Sequence, residues 1–239
     1  MHAHIDPLPF DADTLRALQA TSLGGDGTVM EPACALALQA NFGSVERWRE
    51  AFAAMGHAHA DGPGWVVLTF NVREGSLGNV WLADPALAAA DTIPILALDM
   101  VQPAHHGDSR ANVDAFLANI NWAAVYARYQ HAVHAASEPL AVASIEGATL
   151  LDVRRVGVFD KASTMIPGAA WKDPADVAQW AQALPRDRDV VVYCVYGHEV
   201  GRATAMRLRA AGLNARFLEG GIDAWQAAGQ PLTSKGCVT

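Results

Sequence analysis

A run of apolar residues that ends in a cysteine constrains this chain most. Residues 190–194 read Val-Val-Val-Tyr-Cys, and a short segment containing Gly197 then leads into a helix predicted at 200–211. An apolar run of this length is typical of a buried strand in a parallel sheet. The carboxyl end of such a strand faces the crevice where open α/β sheets bind ligands. The sequence therefore places Cys194 at a candidate site.

Strands and helices alternate around this run. Strands are predicted at 150–153, 190–193 and 215–218, and helices at 175–184, 200–211 and 223–228. Apolar strands that alternate with helices favour a parallel sheet covered on both faces. We therefore predict an α/β fold for this half of the chain.

The first half has a different texture. Residues 11–56 are predicted to be helical, with Ser44 as an N-cap and Gly56 as a helix end. One long Ala-rich helix is predicted at 112–134. Short strands are predicted at 64–70, 79–82 and 93–99. This mixture predicts an α+β fold.

The composition changes near the breaker Ser-Glu-Pro-Leu at residues 137–140. We therefore predict two domains with a linker and a tail. The predicted bounds are 1–136 for the first domain, 137–144 for the linker, 145–233 for the second domain and 234–239 for the tail.

The composition excludes several classes of protein. The 239 residues are 51% apolar and 18% charged, which excludes global disorder. The net charge of −8 argues against a nucleic-acid partner or an anionic membrane surface. We expect a cytoplasmic protein, because the sequence has neither a signal peptide nor about 18 consecutive apolar residues. Two dispersed cysteines accompany Cys194, Cys34 in a predicted core and Cys237 on a polar tail, which is too few for a disulfide framework.

The loop after the strand suits a reactive thiol. Backbone N–H groups and a helix N-terminus can surround the Cys194 sulfur with positive partial charge. That setting lowers a thiol pKa and favours the nucleophilic thiolate. Gly197 permits the tight curvature that such a loop needs. A buried, inert cysteine at the end of a strand is the alternative.

Four motifs follow one another in the second half: Leu-Leu-Asp-Val-Arg at 150–154, Ile-Pro-Gly-Ala at 166–169, Cys-x-x-Gly from Cys194, and Glu-Gly-Gly-Ile-Asp-Ala-Trp at 219–225. Together they resemble the rhodanese domain over about residues 145–232. The resemblance implies a sulfurtransferase in which Cys194 takes sulfane sulfur from a small donor such as thiosulfate, holds it as a persulfide and passes it to a thiol or a cyanide-like acceptor. It implies no required cofactor.

The resemblance also assigns roles to neighbouring residues. The substrate-binding residues are expected to be those of the loop, namely Val195, Tyr196, Gly197, His198, Glu199 and Val200. The residues expected to support the loop are Asp152, Arg154 and Arg202.

Two loop positions depart from the family pattern. Many members have Arg where this chain has Val195, and Arg or Thr where it has Glu199. A carboxylate at Glu199 opposes thiolate formation unless it points to solvent. His198 could offset that charge, although a solvated His is favoured. The related phosphatases need a longer loop closed by Arg, so we exclude phosphatase activity.

Five segments of the first half form a second pattern: Ser-Leu-Gly-Gly-Asp-Gly at 22–27, Asn-Phe-Gly-Ser-Val-Glu-Arg-Trp at 41–48, Gly-Trp-Val-Val-Leu at 64–68, Pro-Ile-Leu-Ala-Leu-Asp at 94–99 and Asn-Ile-Asn-Trp-Ala-Ala-Val-Tyr-Ala-Arg-Tyr at 119–129. They resemble the C-terminal domain of iron/manganese superoxide dismutases. The resemblance implies helices with a small antiparallel sheet.

That family holds its metal with three His and one Asp. Asp99 stands in the place of the Asp, but Pro103 follows where the family has a His, and His105 and His106 come too late. The helical hairpin that supplies two other ligands has no counterpart in the short segment before residue 22. One carboxylate does not hold iron or manganese with useful affinity. We therefore expect Asp99 to be vestigial in a metal-free module.

Six histidines lie outside these patterns: His2, His4, His57, His59, His131 and His134. The first two lie on the N-terminal tail. His57 and His59, in a predicted polar loop, could bind adventitious Zn²⁺ or Ni²⁺, but solvation is favoured. His131 and His134 could share a metal, although a helix C-terminus also favours a charged His.

The missing hairpin predicts a partner. Leu15, Leu18, Leu36 and Ala37 lose their packing partner without it, and exposed apolar patches become interfaces. We therefore expect a homodimer through the first domain. The other partners are expected to be a sulfane-sulfur donor and a thiol acceptor.

Two other functions stay open. The first is a metal-dependent superoxide dismutase with iron or manganese, against which Pro103 argues. The second is a non-catalytic interaction protein, for which Val195 and Glu199 argue. The pairing of the two resemblances hints at defence against oxidative stress, by analogy at the family level alone.

Overall fold

The structure is a computed structural model that describes residues 10–25, 29–60, 62–100 and 109–235. Within these ranges the chain forms two compact units. The N-terminal unit contains residues up to 72 and residues 76–132, and the C-terminal unit contains residues 73–75 and the chain from 133 onward. Several positions named above lie outside the described residues: His2, His4, Pro103, His105, His106 and Cys237.

Three helices open the N-terminal unit, and they are α1 (Ala12–Thr21), α2 (Pro32–Phe42) and α3 (Val45–Ala58). The predicted N-cap is confirmed, because the Ser44 hydroxyl accepts from the Arg47 N–H at 3.1 Å. The predicted helix end is wrong. Gly56 lies inside α3, where a Cβ would come within 2.9 Å of the Val113 side chain. Its missing side chain serves helix packing rather than termination.

A small antiparallel sheet follows, with strands β1 (Trp65–Asn71), β2 (Ser76–Leu82) and β3 (Thr92–Asp99). The strand order is β2-β1-β3. Trp65 pairs with Leu82 on one side and with Asp99 on the other. The antiparallel sheet implied by the sequence is confirmed.

The single helix predicted at 112–134 is wrong. The chain forms α4 (Ser109–Ala118) and then α5 (Trp122–Ser137). Asn119 donates its side-chain N–H to a carbonyl one turn earlier, and the Asn121 side chain accepts from an N–H three residues later. Asparagine side chains compete for backbone groups, and here they end one helix and begin the next despite the Ala-rich composition.

The apolar residues expected to lie uncovered are buried within the N-terminal unit. Leu15 and Leu18 of α1 pack against the sheet together with Ala97, and Leu15 is fully buried. Ala37 is buried and Leu36 is half-buried. The expectation of an open apolar face at these residues is therefore wrong. A homodimer stays a prediction that lacks this physical support.

The C-terminal unit has a five-stranded parallel sheet of order β4-β9-β8-β5-β7. Its strands are β4 (Ala141–Val142), β5 (Thr149–Asp152), β7 (Ala170–Trp171), β8 (Val190–Tyr193) and β9 (Ala215–Leu218). Two short strands, β6 (Thr164–Met165) and β10 (Thr233–Ser234), form a separate antiparallel pair. The helices are α6 (Val156–Lys161), α7 (Val177–Trp180), α8 (Glu199–Ala210) and α9 (Gly221–Ala227).

Strand β8 is the centre of this sheet and is buried on both faces. Val190 and Val192 pack into one core cluster with Phe217, whereas Val191 and Tyr193 pack into a second cluster. Alternate residues of a strand point to opposite faces. The predicted parallel sheet with two covered faces is therefore confirmed.

The regular helix predicted at 175–184 is wrong in detail. The segment consists of the four-residue helix α7 between two 3₁₀ turns. The Asp173 side chain accepts from the Ala175 N–H at 2.9 Å, and the Trp180 indole donates to the Asp173 carbonyl at 2.7 Å. These local bonds fix a tighter coil than the apolar spacing predicts.

Candidate functional site

Cys194 directly follows the last residue of β8, and the loop after it leads into α8. The residue is 6% exposed. The backbone N–H groups of Gly201, His198 and Gly197 act on its Sγ and lower the pKa of the thiol. The His198 carbonyl oxygen also lies 3.9 Å from Sγ. The loop and the first turn of α8 therefore surround the sulfur with backbone donors, as the sequence predicted.

Two glycines make this close approach possible. Gly197 has a φ of +67°, in the left-handed region, which favours glycine. A Cβ at Gly201 would lie 3.3 Å from the Cys194 Sγ, which is tighter than most such contacts. Because Gly201 has no side chain, the first turn of α8 can bring the Gly201 N–H close to the Cys194 sulfur.

The start of α9 holds the loop from the other side. The Ile222 N–H donates to the Cys194 carbonyl, and the Asp223 N–H donates to the Val195 carbonyl, both at 3.0 Å. Gly221 has a φ of +60°, and a Cβ there would lie 2.5 Å from each of these carbonyl oxygens. The Gly-Gly motif therefore positions the cysteine loop.

The remaining loop residues differ in exposure. Tyr196 is 56% exposed, and its ring centroid lies 5.6 Å from that of His198, which is also exposed. Val195 and Val200 are half-buried. Tyr196 and His198 are the loop side chains that solvent reaches most freely.

The electrostatics of Cys194 differ from the expectation. Burial raises the pKa of its thiol above the ordinary value, and the three backbone N–H groups act in the opposite direction. The Glu199 carboxylate adds to the rise. The Glu199 side chain does not point to solvent, because the residue is only 4% exposed. The expectation of a lowered thiol pKa is therefore wrong for the resting thiol.

The Arg202 side chain contacts the backbone of the loop. Its Nε donates to the Gly197 carbonyl at 2.8 Å, and its Nη1 donates to the Ser137 hydroxyl at 3.2 Å. The same guanidinium pairs with Glu138 at 3.3 Å and lies over the Phe217 ring at 4.4 Å. These contacts fit the supporting role that the resemblance implies.

Asp152 and Arg154 form a buried ion pair at the end of β5. The Arg154 Nε lies 2.9–3.0 Å from both carboxylate oxygens, and its Nη2 also donates to the Thr164 carbonyl at 2.9 Å. The Tyr193 hydroxyl donates to Asp152 at 2.9 Å and accepts from the Ile166 N–H at 3.2 Å. Burial, followed by the Asp152 charge, raises the pKa of Tyr193. The network anchors the strand that carries Cys194.

Asp99 lies at the end of β3 and forms an ion pair with the Arg16 side chain. Its Oδ2 is 3.7 Å from the Arg16 Nε, and its backbone N–H donates to the Gln19 side chain at 2.6 Å. Within the described ranges, no three or more His, Cys, Asp or Glu side chains are grouped to hold a metal ion. A carboxylate beside a guanidinium is a poor donor set for iron or manganese, so these residues do not fit such a metal.

The other candidate histidines have mixed surroundings. His57 and His59 end α3 rather than lying in a loop, and His59 stacks on Trp81 with ring centroids 4.1 Å apart. His131 is exposed. His134 lies 5.8 Å from His198 between ring centroids, and burial lowers its pKa. The expectation of a charged His134 at a helix end is therefore wrong in direction.

Sequence reasoning missed several residues of this site. In the sequence, Tyr193 is only the last residue of an apolar run, and no motif marks Gly201 as a neighbour of Cys194. Ser137 belongs to the breaker at 137–140, yet it is buried and accepts from Arg202. The Gly-Gly pair at the start of α9 is the sequence signal for a close backbone contact.

A cavity of about 320 Å³ lies beside α9, and its lining includes Ala143, Leu218, Glu219 and Trp225. None of residues 194–200 lines it.

Among the helices of the described residues, none is both long and apolar enough to cross a membrane.

Two family models match the chain. Residues 30–128 match the C-terminal domain of iron/manganese superoxide dismutases, and residues 136–228 match the rhodanese-like domain. The two segments lie in one chain, consistent with a fusion of two domains.

Curated relatives match the first segment. A superoxide dismutase [Fe] of Cupriavidus metallidurans is 44% identical over 113 residues, which are 46% of this chain and 57% of that protein. A superoxide dismutase [Mn] 1 of Halobacterium salinarum is 34% identical over 116 residues, which are 46% of this chain and 54% of that protein. The chain therefore spans only about half the length of these relatives.

Solved structures match the second segment. A rhodanese-related protein from Thermoplasma volcanium is 28% identical with a TM-score of 0.34, over 37% of this chain and 86% of that chain. A full-length protein from Lactobacillus plantarum is 27% identical with a TM-score of 0.35, over 37% and 74%. The fold of the C-terminal unit rests on its own strand order and on the family match.

Proposed function

We propose that the chain is a rhodanese-type sulfurtransferase that carries sulfane sulfur as a persulfide on Cys194. The match to the rhodanese-like domain supports a sulfurtransferase-type or related function. One observation carries the finer proposal: the first turn of α8 packs so closely on Cys194 that a Cβ at Gly201 would lie 3.3 Å from Sγ, and the N–H groups of Gly201, His198 and Gly197 lower the pKa of the thiol. Such fixed donors stabilise negative charge that develops on sulfur.

The reaction has two displacement steps. The Cys194 thiolate attacks the sulfane sulfur of the donor, a bond forms between Sγ and that sulfur, and the donor's own S–S or C–S bond breaks with its electron pair leaving on the donor fragment. A nucleophilic acceptor then attacks the outer sulfur, and the Sγ–S bond breaks so that the thiolate is restored. Each step exchanges one bond for another, so no external oxidant or reductant is needed.

The raised pKa of the resting thiol is compatible with this cycle. A persulfide is a stronger acid than its parent thiol, so the same N–H groups hold the loaded form ionised more readily than the empty form. Burial of the thiol then protects the resting cysteine from unwanted reaction, because the thiolate is the reactive form. The site favours the loaded state over the bare thiolate.

The charges around the loop favour one class of donor. No Lys or Arg occurs among residues 195–200, and the Arg202 guanidinium is engaged by the Gly197 carbonyl and by Glu138. The buried Glu199 disfavours a doubly charged anion such as thiosulfate. We therefore propose a low-molecular-weight persulfide as the better donor and a thiol as the acceptor.

Intact mass measurement tests the proposal. The chain is incubated with thiosulfate and, separately, with cysteine persulfide. We expect a gain of one sulfur in the wild type, larger with cysteine persulfide, and no gain in Cys194→Ser. Cys34→Ser is the matched control, because Cys34 is also buried. Cys237→Ser is a second control. No gain from either donor would contradict the proposal and leave the non-catalytic interaction protein as the better reading.

A further inference from the structure

An imidazole beside the cysteine loop is not used by the proposed reaction. His134 lies in the last turn of α5, inside the C-terminal unit, and its ring centroid is 5.8 Å from that of His198. Its Nε2 is buried and has no hydrogen-bond partner among the residues that the structure describes. A buried polar atom left without a partner is unfavourable. Packing alone does not explain why the Nε2 atom of His134 is buried without a hydrogen-bond partner.

Hydrogen bonds fix the turn that carries His134 to the loop. Arg202 donates to the Gly197 carbonyl and to the Ser137 hydroxyl. The Ser137 hydroxyl in turn donates to the His134 carbonyl at 3.4 Å. The position of His134 relative to the loop is therefore set by a continuous chain of contacts.

Charges of both signs surround His134. Burial lowers its pKa, and Arg202 and His198 act in the same direction. Glu199 and Glu138 act in the opposite direction. The imidazole is therefore neutral at neutral pH, with one ring nitrogen that accepts a hydrogen bond and one that donates.

We propose that His198 is the base that takes the proton from a thiol acceptor, and that His134 is the positioning residue that orients His198 and shares the resulting charge. This inference rests on the proposed sulfurtransferase function. His198 suits the first role because it is exposed in the loop next to the exposed Tyr196. A linear hydrogen bond between two imidazoles places their centroids roughly 5–5.5 Å apart, and the observed separation of 5.8 Å is close to that value. A base oriented by a third group recurs in nucleophilic catalysis.

The acceptor thiol gives its proton to His198, and its sulfur attacks the outer sulfur of the Cys194 persulfide. A new S–S bond forms on the acceptor while the Sγ–S bond breaks and its electron pair returns to Sγ. The His198 imidazolium, hydrogen-bonded to His134, then releases the proton to solvent.

Separate measurement of the two half-reactions tests this inference. Each variant is loaded with cysteine persulfide, the loading is measured by intact mass, and the donor is removed. The rate of sulfur loss to 2-mercaptoethanol is then followed between about pH 5.5 and 9, across the range where His titrates. Sulfite serves as a second acceptor, because it needs no proton removal at alkaline pH. The variants are His198→Gln, His134→Gln and His134→Phe, and His131→Gln on the exposed face of the same helix is the control.

We expect His134→Gln, His134→Phe and His131→Gln to load like the wild type, and the transfer rate of His198→Gln is normalised to its own measured loading. Transfer to 2-mercaptoethanol should fall by about 100-fold in His198→Gln and by about tenfold in both His134 variants. The acidic limb of the pH profile should disappear in the first variant and shift in the other two. Transfer to sulfite at alkaline pH and the His131→Gln control should be unchanged.

The outcomes separate the two proposals. If the wild type loads and the His134 variants keep its rate and pH profile with the thiol, this inference is overturned while the sulfurtransferase proposal stands. Equal losses with thiol and sulfite would also overturn it, since they indicate a general effect on the loop. If the wild type does not load, the sulfurtransferase proposal fails and this inference fails with it.

Discussion

The guanidinium of Arg202 donates to the carbonyl oxygen of Gly197 at 2.8 Å, so a helix side chain holds the loop at the glycine whose φ is +67°. The same guanidinium lies over the Phe217 ring and pairs with Glu138. The charge of the guanidinium therefore interacts with other groups of the protein and does not face a substrate. The bend at Gly197 in turn aims a backbone N–H at the Cys194 sulfur.

Removal of that guanidinium should loosen the loop. We expect Arg202→Met to slow persulfide loading by about tenfold and to lower the free energy of unfolding by about 2 kcal/mol, because hydrogen bonds from a charged donor are lost. Loading is followed by intact mass and unfolding by urea titration. Arg216→Met, at an exposed residue of β9, is the control. Wild-type loading in Arg202→Met would contradict the supporting role.

A methyl group at Gly221 should displace the loop. Gly221→Ala would add a Cβ 2.5 Å from the Cys194 and Val195 carbonyl oxygens, in addition to the strain of a positive φ. Gly229→Ala carries only the strain, because its φ is +70° and nothing lies within 4 Å of its Cβ. We expect about 1–2 kcal/mol of destabilisation for Gly229→Ala, and a larger loss together with failed loading for Gly221→Ala. Equal effects of the two variants in urea titration would contradict the contact.

The buried pair beneath the site should be sensitive to the loss of either partner. Asp152→Asn leaves the Arg154 guanidinium buried without its counter-charge, and we expect a loss of about 3–5 kcal/mol. Tyr193→Phe removes one bond to Asp152 and leaves the Ile166 N–H without its acceptor, with an expected loss of about 1–2 kcal/mol. Thermal and urea unfolding measure both. Tyr196→Phe, at an exposed residue, should change stability little, and a loss there as large as in Tyr193→Phe would argue against the network.

The centre of the fold and the cysteine loop were predictable from the sequence, because their signals are local. A short apolar run marks β8, and the glycine three residues after Cys194 marks the bend. The break between α4 and α5 was missed, because whether an asparagine side chain ends a helix depends on which backbone groups it reaches. Asn119 and Asn121 both find such groups within four residues.

The contacts that were missed at the site join residues far apart in the chain. The Tyr193 hydroxyl meets Asp152 from 41 residues earlier, and Arg202 meets Ser137 from 65 residues earlier. A single sequence carries no signal for such pairs. For the same reason the burial of Leu15 against the sheet could not be read from its helix alone, since the pattern shows an apolar face without naming what covers it.

The carboxylate of Glu199 should control the reactivity of the resting thiol. Burial raises the pKa of Cys194 and Glu199 adds to the rise, so the folded state keeps the thiol proton at pH values where the unfolded chain has lost it. The free energy of unfolding should therefore fall as the pH rises above the ordinary thiol pKa of about 8.5. We expect Glu199→Gln to lower the thiol pKa and to speed alkylation by iodoacetamide at neutral pH by roughly threefold to tenfold.

The pH dependence of alkylation, followed by intact mass, measures this effect. Glu146→Gln, at an exposed residue, is the matched control and should behave as the wild type. Urea titration of Glu199→Gln distinguishes a change in thiol pKa from unfolding. An unchanged alkylation profile in a folded Glu199→Gln would show that this carboxylate does not act on the sulfur.

The N-terminal unit should bind neither iron nor manganese at Asp99. Asp99 lies 3.7 Å from the Arg16 guanidinium, and a metal ion at this carboxylate would be repelled by that charge. We expect protein from cells supplied with both metals to contain far less than one metal ion per chain, and Asp99→Asn to change neither the metal content nor the low rate of superoxide removal. Elemental analysis and a superoxide assay measure both quantities.

The free energy of unfolding gives an independent test of the Arg16–Asp99 ion pair. Because the Arg16 side chain is 58% exposed, the Arg16–Asp99 ion pair by itself should contribute no more than about 1 kcal/mol to the loss of stability in Asp99→Asn. Asp114→Asn, at an exposed carboxylate near His57, is the control. A bound metal ion would instead stabilise the fold in proportion to its concentration. One iron or manganese per chain in the wild type, lost in Asp99→Asn together with several kcal/mol of stability, would overturn the metal-free interpretation and favour a dismutase.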